Sequence, residues 1–150
     1  MNAVRLRPKG MRHLFCLLVW FLAPAASASD ATLTARLFLA TDSVHAPSTP
    51  ALRRVVDQFA SKGVRSASVL DTDVRVQQAH LESHAHTLDV RIEAMSLHRA
   101  RILVTVDAKG KSREVALEIP KDREVLIGVG RTEAGLLVAS LNVNGPRDGP

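Results

Sequence analysis

The feature that most limits the fold is a succession of short segments in residues 64–143 where apolar and polar side chains alternate. Alternation places every second side chain on one face of an extended strand, so each segment predicts a strand with one buried face. Turn-forming residues at 108–111 and 120–122 separate neighbouring segments, a spacing typical of hairpins between antiparallel strands. The pattern therefore predicts a sheet-rich chain with short connections.

The strands can be placed one by one. The first covers residues 31–40, and its even and odd positions divide into a polar and an apolar face. The later strands are predicted at residues 64–70, 74–78, 87–94, 100–107, 115–119, 125–129 and 136–143. The sequence Asp71-Thr72-Asp73 is predicted as a turn whose carboxylates accept hydrogen bonds from backbone amides. The alternatives for this acidic pair are a glycosidase site and a calcium site.

One helix precedes most of these strands. Thr49 suits the N-cap and Pro50 the first helical position, while Gly63 suits the left-handed residue that ends a helix. Between them one apolar stripe is formed by Leu52, Val55, Val56, Phe59 and Ala60. The expected class is α+β: one amphipathic helix on a mostly antiparallel sheet or β-sandwich of about six to eight strands. Residues 29–143 form one domain in this prediction, and residues 144–150 a flexible tail.

Residues 1–28 have the organisation of a secretory signal peptide. Four basic residues precede an apolar run over residues 14–22, and the sequence Ala26-Ser27-Ala28 matches a cleavage site. The apolar run is about half of the roughly 20 residues that a membrane-spanning helix needs. We therefore expect cleavage near Ala28, a periplasmic or secreted product, and no stable membrane insertion after cleavage.

Removing the signal segment changes the composition that matters. Of the 20 Lys and Arg residues, four lie in that segment, so the mature chain has 16 against 15 Asp and Glu. The basic character of the whole chain is thus no reason to expect a nucleic-acid partner. Cys16 is removed as well, which excludes disulfides and thiolate chemistry in the mature chain. Only Phe38 and Phe59 remain as aromatic residues.

Histidine is the one residue type that suggests chemistry. No G-x-S-x-G or H-E-x-x-H motif is present, so we expect no enzyme and no cofactor. The candidate metal ligands, for zinc or copper, are His80, His84, His86 and His98. On one extended strand, the first three and Glu82 would project from the same face. The alternatives are a solvated edge or hairpin without a ligand, and a patch that responds to pH.

A resemblance rests on residues 37–41 (Leu-Phe-Leu-Ala-Thr) and residues 126–137. With a strand, a capped helix and then hairpins, the chain resembles small exported proteins of GC-rich Gram-negative bacteria found among envelope, secretion and motility components. Such proteins often have a Gly-Gly-Pro-Arg corner, and Val129 and Gly130 stand where the second glycine and the proline would be. The resemblance implies an envelope protein as partner and supplies no catalytic residue.

These observations predict a non-enzymatic, exported interaction module that docks onto a larger envelope assembly. A chain of hairpins leaves a sheet edge open, and an open edge can accept a strand from a partner. Lys109, Lys111 and Arg113 surround one hairpin and would guard such an edge against uncontrolled pairing. The alternative function is a periplasmic metal-binding protein that uses the histidine cluster. The oligomeric state is left open.

Overall fold

The computed structural model describes residues 30–83 and 86–145. Within these ranges the chain forms eight strands and one α-helix, which a short 3-10 turn (Ala60–Lys62) follows. The helix is α1 (Pro50–Phe59), and the strands are β1 (Thr32–Thr41), β2 (Ser66–Val76), β3 (Gln78–Ser83), β4 (His86–Met95), β5 (Arg99–Ala108), β6 (Lys111–Pro120), β7 (Val125–Thr132) and β8 (Gly135–Asn144). The mostly β, antiparallel character predicted from the alternation is confirmed.

The strands form two four-stranded antiparallel sheets rather than one sheet. The β1 sheet has the order β2-β1-β8-β7, and the β4 sheet has the order β3-β4-β5-β6. One apolar cluster takes side chains from both sheets, including Leu37 and Leu141 from the first and Leu88 and Ile102 from the second. The two sheets therefore pack face to face, because each must bury its apolar side.

The helix covers the outer face of the β1 sheet. Its N-cap is Thr49, whose hydroxyl accepts a hydrogen bond from the Leu52 N–H, and Gly63 has the left-handed φ of 84° predicted after the helix. Phe59 packs on Phe38 and other buried residues in a second apolar cluster. The alternation had assigned Phe38 to the polar face of β1, but that face is buried where the helix lies.

The turn predicted at Asp71-Thr72-Asp73 is wrong. These residues lie inside β2, where Asp71 pairs with Leu37 and Asp73 with Ala35 on β1. The chain instead turns at Gln77, which has a φ of 68°, and enters β3 in the other sheet. Consecutive polar residues are typical of a turn, but here Asp71 and Asp73 lie at a sheet edge, where their carboxylates accept hydrogen bonds from backbone amides of β3. The hydrogen-bond part of the prediction therefore holds.

The ends of the chain fall partly outside the description. The predicted signal peptide, residues 1–28, lies outside the described residues, as do residues 146–150 of the predicted tail. Strand β8 includes Asn144, so the last strand extends one residue into the tail that was expected. No helix in the described residues is both long enough and apolar enough to cross a membrane.

Candidate functional site

The predicted histidine ligands do not share one strand. His80 lies on β3 and His86 begins β4, and the two strands form an antiparallel hairpin in which Ser83 pairs with His86. His84 lies outside the described residues. His98 follows the far end of β4, and ten residues of strand extend roughly 30 Å. The arrangement of His80, Glu82 and His86 on one face is therefore not found.

His80 and His86 also have opposite environments. His80 is half-exposed on the outer face of the β4 sheet, where it stands opposite Asp89. His86 is 8% exposed and faces the interior between the sheets. The reversal of the chain within the hairpin explains the difference, because it changes which face each position presents. The prediction of a zinc or copper site stays a prediction, and no three metal-ligating side chains come together within residues 30–83 and 86–145.

A small charge network surrounds His80. Its Nδ1 donates to Asp89 Oδ1 at 2.6 Å, and its Nε2 lies 3.5 Å from Glu82 Oε1. The hydrogen bond to Asp89 is the main cause that raises the pKa of His80 above its ordinary value, and the bond to Glu82 adds to it. The network ties β3 to β4 on the solvent side of the sheet.

A cavity of about 760 Å³ opens at one end of the sandwich, between the two sheets. This end cavity lies where β3 ends and β4 begins, beside the β5–β6 and β7–β8 turns. Its lining residues are Leu39, Leu70, Glu82, Ser83, His86, Lys109, Arg131, Thr132, Glu133, Ala134 and Leu137. Its volume is within the range of about 300–1,000 Å³ that is common for small-molecule sites.

The lining of the end cavity is divided by chemistry. The three leucines come from the β1 sheet, where Leu39 and Leu137 are direct neighbours across β1 and β8. His86 and Lys109 line another part of the cavity, because His86 pairs in register with Ala108, which precedes Lys109. Across the interior from His86 is Gly130, where a Cβ would lie 3.5 Å from the ring Nε2. The next residue, Arg131, pairs with Leu136 on the face that the helix covers.

One long side of the sandwich is sealed by carboxylates of β2. Asp73 Oδ2 accepts a hydrogen bond from the His80 N–H at 2.9 Å, and Asp71 Oδ2 accepts one from the Glu82 N–H at 2.9 Å. The bond from His80 is the main cause that lowers the pKa of Asp73, and Arg75 at 3.0 Å adds to it. These two amides belong to the edge strand β3, so the carboxylates occupy the groups with which another strand would pair.

The opposite long side carries the edges of β6 and β7, because β6 and β7 end the two sheets there. The helix protects one backbone group of β7. The Gln58 side chain donates to the Leu126 carbonyl at 3.3 Å, and Arg54 forms an ion pair with Glu124 at 2.6 Å. Glu124 also accepts a hydrogen bond from the hydroxyl of Ser140 on β8. A bulge between Gly128 and Gly130 further disturbs the strand, which hinders regular pairing.

Strand β6 has no such protection. Its first six residues are all exposed, on both faces of the strand. In the described part of the chain no side chain hydrogen-bonds the β6 backbone, and no further strand lies beyond it. Lys111 and Arg113 stand opposite Ala108 and Val106, on the face that turns toward the other sheet. The open edge is thus guarded only by charge.

Sequence reasoning treated residues 80–86 only as an alternative strand, edge or hairpin, so it did not place β3 at Gln78–Ser83, and it missed the end cavity. The signal for β3 was the alternation of Ala79 and Leu81 with His80 and Glu82, which is short but regular, and both apolar residues are buried. The cavity brings together side chains distant in sequence, from Leu39 to Leu137, so no local pattern announces it. Comparison of the chain with protein-family models, with curated proteins and with solved structures finds no match.

Proposed function

We propose that the protein is an exported, non-enzymatic interaction module that docks onto an envelope assembly by accepting an extended segment of a partner at β6. The observation that supports this proposal is the difference between the sheet edges. Asp71 and Asp73 occupy two amides of β3, and β7 has one carbonyl bound by Gln58 of the helix and a bulge, whereas β6 is exposed over six consecutive residues. Strand addition needs a free row of backbone N–H and C=O groups, which β6 offers.

The side chains of β6 define the partner segment. On the face toward the sandwich, Lys111 and Arg113 are followed by Val115 and Leu117. A strand that pairs with β6 places its side chains directly opposite these residues on the same face, and opposite charges are favourable there. The expected partner segment therefore has acidic residues at two alternate positions and apolar residues at the next two. Because Glu114 lies on the other face, a basic or neutral residue fits opposite it.

Site-specific photocrosslinking in intact cells tests the docking site. A photoreactive phenylalanine replaces Val115 on β6, which is 50% exposed, or Val74 on β2, which is 56% exposed and serves as the matched control. We expect a discrete adduct with one envelope protein from position 115 and none from position 74. Equal adducts from both positions, or none from position 115, would refute docking at β6.

Charge reversal tests the partner chemistry separately. The variant Lys111→Glu with Arg113→Glu is expected to abolish the adduct formed from position 115, because it places like charges opposite the acidic partner. A control variant, Lys62→Glu with Arg65→Glu, changes the same net charge away from β6 and should leave the adduct intact. If both variants weaken the adduct alike, the effect is one of overall charge and the assignment to β6 fails.

Export is tested on the same protein. The signal segment predicts that the periplasmic form begins at Ser29, after cleavage behind Ala28. Mass spectrometry of the protein from a periplasmic extract gives its first residue directly. A chain that retains residues 1–28 and stays with the cytoplasmic fraction would contradict the export on which an envelope partner depends.

A further inference from the structure

We infer that the partner segment at β6 runs antiparallel to it and fills a groove between β6 and β7, so that its apolar side chains contact both sheets. This inference rests on the proposed docking at β6 and adds to it a direction and a second wall. The groove lies on the long side of the sandwich where both sheets end. Its walls are inward-facing apolar residues that remain partly exposed: Val115 and Leu117 on β6, and Val125, Ile127 and Val129 on β7.

The two long sides of the sandwich differ in how far their inward apolar residues are buried. On the side that the β2 carboxylates close, Ala79 and Leu81 of β3 are at most 3% exposed. On the other side, Val115 of β6 is 50% exposed. Among the described residues, no side-chain hydrogen bond or ion pair joins β6 to β7. The interior is therefore incompletely covered along this side, and an added strand can bury the apolar surface that is left.

Burial along β6 shows where the groove opens. Only residues 121–124 connect β6 to β7, which keeps the two strands together at that end. Next to this connection Ile119 is 2% exposed, whereas Leu117 is partly exposed and Val115 is half-exposed. The groove therefore widens away from the connection, toward the charged start of β6.

Strand β7 supplies the second wall through its side chains. Val125 and Ile127 pair with residues of β8 that belong to the apolar cluster between the sheets, so both side chains point inward. Neighbouring strands lie about 4.8 Å apart and packed sheets about 10 Å apart, so an inward valine or leucine on a strand added to β6 extends toward the β7 side chains. The bulge in β7 hinders regular pairing there, so the backbone of the added strand pairs with β6.

The order of charges along β6 sets the direction of the partner. Lys111 and Arg113 form no ion pair among the described residues, and the apolar residues of the groove follow them in the chain. The strand pairs in the described ranges are all antiparallel, which is the more stable arrangement per residue, so we expect the same for an added strand. Read from its N-terminus, such a partner begins with two alternate apolar residues and ends with two alternate acidic residues.

The probe is the end-blocked peptide Val-Thr-Val-Lys-Glu-Thr-Glu, in which the lysine stands opposite Glu114. Titrated into the isotope-labelled mature chain and followed by NMR, it should bind saturably at one per chain and shift the amides of Val115 and Ile127. The reversed peptide Glu-Thr-Glu-Lys-Val-Thr-Val has the same composition and should bind at least about threefold more weakly. Equal affinity of the two peptides would overturn the antiparallel direction.

Charge exchange tests the register. Lys111→Glu with Arg113→Glu should weaken binding of the first peptide about tenfold. A peptide with lysine at both glutamate positions should bind this variant and not the unsubstituted protein, whereas the control Lys62→Glu with Arg65→Glu should keep the original preference. Absence of this exchange would overturn the pairing of acidic partner residues with Lys111 and Arg113.

Photoreactive leucine in the peptide tests the second wall. At the first valine, which faces inward, it should form adducts with β7 that mass spectrometry locates, and at the first threonine, which faces outward, it should form none with β7. Adducts confined to β5 and β6 from both positions would overturn the groove and leave docking at β6 intact. If an adduct forms from position 115 in cells but neither peptide binds, the inferred partner order is wrong and docking still stands. The absence of both would refute docking as well. A dimer formed through β6 that excludes the peptide would overturn the inference in favour of a second copy of the chain.

Discussion

Removing the carboxylate of Asp73 is the sharpest test of how the two sheets are joined. In the structure, Asp73 is held in the seam between β2 and β3, where its side chain is only 14% exposed. One oxygen accepts the N–H of His80 at 2.9 Å, and the other accepts the Arg75 guanidinium at 3.0 Å. The variant Asp73→Ala deletes both bonds and leaves a backbone amide of an edge strand without its acceptor.

The expected loss in the free energy of unfolding follows from these two bonds. A hydrogen bond to a charged group contributes about 1.5–3 kcal/mol, whereas an ion pair with a mostly exposed arginine adds about 0–1 kcal/mol. Water can reach the freed amide at the edge, so we expect a net loss of about 2 kcal/mol in the free energy of unfolding. At a typical slope, this lowers the urea midpoint by roughly 1 M. The control is Asp107→Ala on β5, because the side chain of Asp107 has no hydrogen bond or ion pair in the described structure.

Hydrogen exchange identifies the bond responsible. In Asp73→Ala the amide of His80 should lose protection while that of Glu82 keeps it, and Asp71→Ala should give the reverse result, because each carboxylate accepts from one amide of β3. Asp73→Asn retains an acceptor oxygen and should lose less stability than the alanine variant. The reasoning is refuted if the His80 amide exchanges at the same rate in Asp73→Ala as in the unsubstituted protein.

The pH dependence of the same variant has a definite sign. The pKa of Asp73 is lowered in the folded protein, mainly by the His80 N–H. The contribution of Asp73 to the free energy of unfolding is therefore fully present above the unfolded pKa of about 4, and it is lost as the pH falls through the lower pKa of the folded protein. The difference in stability between the unsubstituted protein and Asp73→Ala should shrink on acidification below about pH 4.

Three other measurements probe the remaining contacts. The pKa of His80 is raised in the folded protein, so its pairing with Asp89 stabilises the fold below about pH 6.5, and this contribution is lost as the pH rises through the folded pKa. His80→Gln should therefore lower the free energy of unfolding by under about 1 kcal/mol at pH 6 and by less at pH 8. Phe59→Ala should cost about 3–5 kcal/mol by emptying the contact between helix and sheet, whereas Leu97→Ala, at an exposed position, should change stability by less than about 0.5 kcal/mol in urea unfolding. The zinc or copper prediction requires one ion per mature chain, purified without a tag, and loss of that ion in His84→Ala with His86→Ala by native mass spectrometry.

Local chemistry accounts for the parts of the fold that the sequence predicted. The helix begins at Thr49 because its hydroxyl accepts a backbone amide, and the β5–β6 turn forms at Lys109 and Gly110, which both have positive φ. Gly135 turns the chain with a φ of 152°, and a Cβ there would collide with the Ala40 carbonyl oxygen. The helix cap and the turns depend on a few neighbouring residues, so their signals survive in the sequence, whereas the contact of Gly135 with Ala40 joins residues far apart in the chain.

The parts that were missed depend on residues far apart in the chain. Asp71 resembles a turn residue in isolation, and only its neighbour Glu82 on β3 shows why a carboxylate lies within a strand. The burial of Phe38 depends on where the helix packs, and the interior position of His86 depends on how the hairpin reverses. An alternating pattern fixes which side chains share a face, but it does not determine which element covers that face.

The same reasoning explains why the two long sides of the sandwich differ. An unpaired strand edge can pair with another chain and cause aggregation. The carboxylates of β2 remove this risk along β3, whereas the open edge of β6 retains it. Lys111 and Arg113 reduce the risk without blocking the backbone, because charge repels a second copy of the same basic edge and attracts an acidic segment. If β6 served no partner, neutralising both residues would change only aggregation. If β6 accepts a partner strand, neutralising Lys111 and Arg113 weakens docking and also raises aggregation. Measuring docking and aggregation in one variant therefore distinguishes an edge that is only protected by charge from an edge that binds a partner.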